Sequence, residues 1–222
     1  GVSSLELGPD VFECGNFGLL LLNGSSKRIV IRVLRKMVKV TMNRGAQSAG
    51  IVTYIRKGKS RSARAVRSRV VNGKRSDLSE LVMAKFAHDM GGVVAGELRA
   101  TAGFRAPQLF QGHTRFATSS VAGFAGGHPH RFTPPANQTH WAYDAAAASY
   151  VSHTVNVENF VTHNGDLEFF KLHGEMVPTS KLFGILHWIL DHPPPATVDS
   201  MGVAGLLDLI RCKGLWIASV RY

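Results

Sequence analysis

The chain has 222 residues, 45% of them apolar, and a formal charge of +11, enough to fill one core in a single expected domain. Two cysteines, Cys14 and Cys212, exclude a disulfide scaffold and make a reducing compartment the expectation. No apolar run reaches the roughly 18 residues of a membrane helix, because His187 interrupts the longest candidate, LFGILHWIL. The opening GVSSLELGPDVFE has neither a basic start nor an apolar stretch, so it does not read as a secretory leader. The expected protein is soluble, intracellular or organellar and not secreted, and a start at Gly1 suggests a processed product or a piece of a longer chain.

In chain order, Cys14 stands before Gly15, Asn16, Phe17 and Gly18 and then a run of leucines. NGSS follows as a turn, with Ser25 or Ser26 as helix N-cap. Val30, Val33, Leu34, Met37, Val38 and Thr41 recur at three/four spacing, with Arg32, Arg35, Lys36 and Lys39 mostly on the other face, which predicts an amphipathic helix ending near Asn43. Ile51 to Ile55 reads as a strand and RAVRSRVV as a second. GKR turns into a helix that Asp77 or Ser76 caps, running to about Met90. APQLFQGHTRFAT is a strand entering a polar turn, and SSVAGFAGGHPH a glycine-rich loop. ENFVTHNGDLEFF is a strand entering an Asn-Gly turn, TSKLFGILHWIL a helix stopped by Pro193, Pro194 and Pro195, and GLWIASVRY a closing strand. No internal repeat is visible, and this order of elements predicts a layered α/β or α+β domain.

The charge is concentrated. Sixteen Lys/Arg residues lie between Lys27 and Arg75, and no acid occurs between Glu13 and Asp77. Such a stretch suits RNA or an acidic protein surface through residues 27–75, or a solvated face with no fixed partner. His128, His130 and His140 invite a metal reading. However, Pro129 separates the imidazoles of HPH, and no zinc-type spacing with cysteine or a close carboxylate accompanies them, so neither metal nor cofactor is expected.

Four segments in order carry the chemistry: CGNFG at 14–18, RGAQSAG at 44–50, GHTRFAT at 112–118 and HNGDLE at 163–168. Together they resemble the signature series of class II glutamine amidotransferases, N-terminal-nucleophile hydrolases such as the glutaminase domains of glucosamine-6-phosphate synthase and amidophosphoribosyltransferase. GGHPHRF at 126–132 resembles the stretch that follows the third motif there. The resemblance spans about residues 14 to 192. It implies a four-layer αββα sandwich of two antiparallel sheets between helices, over residues 14–222, with the C-terminal end open to truncation. Residues 1–13 would be a propeptide or N-terminal extension.

The implied reaction is hydrolysis of the glutamine side-chain amide, supplying ammonia to a synthase or acceptor domain or subunit. Cys14 would be the nucleophile, forming a glutamyl thioester, with its own free α-amino group as base. Asn164 and Gly165 match the oxyanion donors, and Arg115 the bidentate grip on the substrate α-carboxylate. Thr118 and Ser119 match the start of a loop that covers glutamine, and Arg44 the arginine packed near the nucleophile.

Three departures set a counter-reading beside this one. Gln47 replaces the usual acid of RG-x-D-S-x-G. The downstream S/T-D-S/T-E element, whose Asp holds the substrate ammonium, falls on VPTSKLF, where Pro178 or a neighbour takes the acid's place. The ammonium would then need Asp166, Glu168 or Glu175. Finally, a peptide precedes Cys14. The alternative is therefore a catalytically silent amidotransferase-like domain, a basic structural subunit of a larger RNA-containing or multi-protein assembly.

Overall fold

The computed structural model describes residues 14–21, 27–57, 63–72, 77–94, 104–105, 109–116, 123–131, 139–144, 146, 148–154, 160–164, 167–194 and 197–212. The expected Ser25/Ser26 cap and the closing strand GLWIASVRY lie outside them. Strand β1 (Gly15–Leu20) leads to helix α1 (Lys27–Met42), which ends one residue before the predicted stop. Strands β2 (Ser48–Lys57) and β3 (Ala63–Val71) form an antiparallel pair longer than the core of Ile51–Ile55 that sequence alone marks. Helix α2 (Leu78–Val94) follows, capped by Asp77, whose Oδ1 accepts the Ser79 N–H at 2.9 Å and the Ser79 hydroxyl at 2.6 Å.

Strand β4 (Phe104–Arg105) pairs with the end of β2, and β5 (Leu109–Arg115) runs antiparallel between β1 and β2. The result is one five-stranded antiparallel sheet with path β1-β5-β2-β3 and β4 beside β2. Three antiparallel pairs follow: β6 (His130–Arg131) with β9 (Phe160–Val161), β7 (Thr139–Asp144) with β8 (Ser149–Thr154), and β10 (Phe169–Leu172) with β11 (Glu175–Pro178). Helix α3 (Thr179–Gly184) runs into a π-helical turn, Ile185–Ile189, and helix α4 (Asp199–Cys212) follows. The fold is mixed α+β with antiparallel strand pairing throughout the described residues.

The alternation of strand side chains decides what each face of the sheet buries. Val30, Leu34 and Val38 of α1 pack with Leu78, Val82, Phe86 and Met90 of α2 against Ile51, Ile55, Val66 and Phe110. Ser68, on that same face of β3, donates its hydroxyl to Asp89 of α2 at 2.6 Å. On the opposite face, Arg67 donates to the Pro129 carbonyl at 3.3 Å and lies 5.2 Å over the Phe160 ring. Strands β6 and β9 therefore cover the side of the sheet away from α1 and α2, and α4 contacts β6, β7 and β9.

Gly50 explains one glycine of RGAQSAG. A Cβ there would stand 2.0 Å from the His128 carbonyl oxygen and 2.9 Å from Pro129 Cδ, so only glycine lets the HPH segment rest on β2. Gly50→Ala is expected to cost about 1–3 kcal/mol or more, because backbone must move to admit the methyl. Gly91→Ala, inside α2 where an added Cβ meets nothing within 4 Å, should instead add about 0.5–1 kcal/mol. Chemical denaturation of the two variants checks the pair, and equal shifts would remove the packing argument.

Candidate active site at the end of the central strand

The same alternation builds the site on β5. Phe110 enters the core under the helices, and Gly112 lies beneath the Phe17 ring, on that same side. Gln111, His113 and Arg115 must therefore point to the other face. Gln111 donates to the Thr162 hydroxyl at 2.9 Å, and His113 Nε2 lies 3.1 Å from the His163 carbonyl oxygen. Gly15 pairs with Thr114, so the register places Cys14 across from Arg115, which Ser48 flanks on the other side. Cys14 is a reduced thiol outside any disulfide, partly buried, and it donates to the Phe116 carbonyl at 3.4 Å.

Arg115 is only 4% exposed. Burial pulls its guanidinium below the ordinary arginine range, and the negative charges available at Cys14 and Asp199 draw it back up. Asp199 opens α4. Its Oδ1 accepts the Ser200 N–H at 2.7 Å and hydroxyl at 3.2 Å, while Oδ2 accepts the Leu167 N–H at 3.0 Å. His163 Nδ1 stands 3.8 Å from that second oxygen, too long for a hydrogen bond. A thiol, a buried cation and a partly exposed carboxylate thus share one neighbourhood.

Two stems, at residues 160–164 and from 167 onward, lie against this neighbourhood. His113 holds the first stem at His163, and Asp199 holds the second at Leu167. Thr179 of α3 adds a hydroxyl bond to the Leu167 carbonyl and donates its N–H to the Glu168 carbonyl at 2.8 Å. Asn164 is exposed on the first stem. Gly165 and Asp166 lie outside the described residues, as do Thr118 and Ser119. Arg44 is exposed on the turn between α1 and β2. Its neighbour Gly45 makes the close approach, since a Cβ there would stand 2.4 Å from the Phe116 nitrogen. Gln47, where an acid was expected, donates its N–H to the Arg115 carbonyl at 2.9 Å and receives the Asn72 N–H at 2.7 Å.

Behind Arg115 lies a histidine stack. The His113 and His128 ring centroids are 3.9 Å apart, and those of His128 and His130 are 4.3 Å apart. All three rings are buried. Burial pushes His113 down to about 3, although its contact with the His163 carbonyl resists this. It pushes His130 down to about 4, reinforced by Arg69 and Arg115, and it lowers His128 as well, with His113 and His130 adding to the fall. The rings are therefore neutral at neutral pH. No group of three His, Cys, Asp or Glu among the described residues is arranged to hold a metal ion.

The described side chains of the basic segment divide between faces. Arg35 pairs with Glu80 at 3.3 Å, and Lys39 with Asp77 and Glu80 at 3.7 Å, on the outer side of α1 and α2. Arg67 and Arg69 turn to the opposite side of the sheet, where Arg69 donates to the Phe124 and Gly127 carbonyls at 3.2 and 3.0 Å. Burial, with Arg67 nearby, lowers Arg69 to about 10. Among the described residues, no helix is long and apolar enough to cross a membrane.

Of the carboxylates first considered for a substrate ammonium, Glu168 and Glu175 are exposed, and Asp166 lies outside the described residues. The residue that reasoning from sequence missed is Asp199. Its signal was the Asp-Ser pair opening an apolar stretch, about twenty residues beyond VPTSKLF. No protein-family profile, curated protein or solved structure matches this chain.

Proposed function

We propose that the chain is a class II glutamine amidotransferase-like domain that hydrolyses the glutamine side-chain amide through Cys14. The observation that carries this reading is the register that sets Cys14 across from buried Arg115, with Asp199 at the start of α4 close enough for its charge to act on that guanidinium. A free amino acid presents a carboxylate and an ammonium on one carbon, and a buried guanidinium beside a carboxylate is the matching pair. The placement of α1 and α2, the large sheet, the β6–β9 pair and α4 supports the four-layer αββα arrangement.

In this reading Arg115 takes the α-carboxylate and Asp199 the α-ammonium, which directs the side-chain amide toward Cys14. The Cys14 thiolate, favoured by the Arg115 cation, attacks the amide carbon, and the carbonyl electrons move to oxygen. Asn164 and Gly165 stabilise that oxyanion; one such donor is typically worth about a hundred- to a thousandfold in rate. The C–N bond then breaks, the departing nitrogen takes a proton, and ammonia leaves a glutamyl thioester that water hydrolyses to glutamate. The proton carrier is the Cys14 α-amine, whose ordinary pKa near 8 suits the task once the Glu13–Cys14 peptide bond is cut. Thr118 and Ser119 would begin the loop over bound glutamine, and Arg44 would support the nucleophile's end of the sheet.

Intact-mass measurement of the mature protein is expected to place its N-terminus at Cys14. Glutamine should then yield glutamate and ammonia, an electrophilic glutamine analogue should label Cys14, and Cys14→Ala should lower turnover by more than about a thousandfold. A mature protein retaining the Glu13–Cys14 bond, without turnover or labelling, would reject the enzyme. A second reading, the silent subunit, is favoured by the outward-facing apolar residues Phe169, Met176, Trp188, Ile189 and Leu190 on β10, β11 and the π-helical turn, with Trp188 82% exposed. That reading expects an uncleaved chain and salt-sensitive association with RNA or an acidic protein.

A further inference from the structure

His113 takes no part in the steps above, yet its place on β5 is tightly determined. Register pairs it with Asn16 on one side and Gly50 on the other. Its ring is 1% exposed and covered by His128 at 3.9 Å, which in turn carries His130. Gly50 admits the His128–Pro129 backbone that brings this stack down onto the strand. The His113 ring cannot swing aside without displacing both neighbours.

Its two nitrogens have different surroundings. Nε2 lies 3.1 Å from the His163 carbonyl oxygen, and buried Nδ1 has no hydrogen-bond partner. A carbonyl oxygen only accepts, so Nε2 carries the proton and donates it, leaving Nδ1 bare. The His163 carbonyl and the Asn164 N–H belong to one planar peptide unit. Anchoring that oxygen therefore fixes the plane from which Asn164 departs. The other stem is held separately, through Leu167, by Asp199 and Thr179. The two stems are thus tied to different elements: β5 on one side, α3 and α4 on the other.

We propose that His113 is a positioning residue for the oxyanion turn, setting the direction of Asn164 through the His163 peptide while touching no reacting atom. Its catalytic consequence rests on the glutaminase reading above, whereas its structural consequence rests on the hydrogen bond alone. Displacing a catalytic group by about 1 Å typically costs on the order of a hundredfold in rate, with little effect on ground-state binding.

The test compares the full chain carrying His113→Phe, which keeps a ring but removes the donor, with His113→Gln, whose amide N–H reaches about as far as Nε2. His113→Asn, whose amide stops short, replaces the Phe variant should that one not fold. Two readouts are taken on each protein: kcat and KM for glutamine, and the NMR backbone order parameters of the Asn164 and Leu34 amides. The donor-free variant is expected to lose about ten- to a hundredfold in kcat with KM within about twofold. The order parameter of the Asn164 amide, which lies in the anchored His163 peptide, should fall from about 0.85 to about 0.6 or below, while Leu34, in the core of α1, stays at the wild-type value. The Gln variant should recover both to within a few-fold.

An unchanged Asn164 order parameter in the donor-free variant, an equal fall at Leu34, or no recovery by folded His113→Gln overturns the proposal. No glutamine hydrolysis by the wild-type protein, with the Asn164 order parameter still falling in the donor-free variant, keeps the clamp and rejects the enzyme. Normal turnover in both variants, with the Asn164 order parameter unchanged, rejects the clamp and keeps the enzyme.

Discussion

Acidification from about pH 7 to about pH 4.5 is expected to unfold the protein through its buried histidines. His113, His128 and His130 are each 4% exposed or less, and burial lowers all three from the ordinary value of 6.5. Below that value the unfolded chain binds protons that the folded chain refuses. Their contribution to stability is therefore complete above about 6.5 and is lost as pH falls, until His130 protonates in the fold at about 4 and His113 at about 3. Each proton taken up only by the unfolded chain costs about 1.4 kcal/mol per pH unit, so three give about 4 kcal/mol per unit. Against a typical stability of about 5–15 kcal/mol, two units of acidification are decisive.

The charged groups around the stack mostly reinforce this sign, since Arg69, Arg115 and Arg67 disfavour a further cation at His130, while Asp199 there and the His163 carbonyl at His113 act the other way. The Asp89 carboxyl enters later. Its burial opposes ionisation, but bonds from Lys85, Ser68 and His88 hold it below the usual range, so its contribution goes only in stronger acid. Urea denaturation between about pH 7.5 and 4.5 should show little change in stability above about 6.5 and a slope approaching three protons below about 5.5, which His130→Phe should reduce by about a third. A wild-type slope of one proton or fewer would mean the rings accept charge inside the fold.

On the proposed glutaminase reading, Asp199→Asn is expected to produce a large loss in glutamine use. Oδ1 is filled by the Ser200 N–H and hydroxyl, whereas Oδ2 has the Leu167 N–H and only a 3.8 Å approach from His163. A carboxylate offers about four acceptor directions, so Oδ2 keeps one for an ammonium. Losing a charged hydrogen bond from this partly exposed carboxylate to the ammonium is expected to cost about 1.5–3 kcal/mol, roughly tenfold to a hundredfold in kcat/KM for glutamine. The analogue lacking the α-amino group should be a poor substrate of the wild-type enzyme, and the variant should handle it within a few-fold of wild type. Equal losses on both substrates would show that Asp199 acts only by holding Leu167.

Much of the first half of the fold is written locally. The three/four spacing from Val30 to Thr41 predicts α1, and Asp77 announces α2 because a capping carboxylate needs only the next two residues. The helical segment that begins at Thr179 stops before Pro193 and Pro194, as ring geometry requires, although its second half winds as a π-turn with the Leu190 N–H on the Ile185 carbonyl. Helix α4 escaped that reading. Gly202 and Gly205 weaken its propensity, yet they sit where Phe183, Leu182 and Leu186 pack within 3.3–3.4 Å of where a Cβ would be. The β7–β8 hairpin likewise went unread.

The site shows the same division. Four short motifs nominate Cys14, Arg115 and Asn164 as candidates, because each motif keeps its residue types together in the chain. The long-range contacts around them could not be read there, since Cys14 bonds 102 residues away, His113 meets a residue 50 away, and Asp199 reaches back 32. Periodicity and capping act over a few residues, so they specify elements and candidate side chains. Which residue Cys14 faces across β5, and which histidine bonds the His163 carbonyl, follows from strand register and from close approaches such as that at Gly50, and these exist only once the layers have packed.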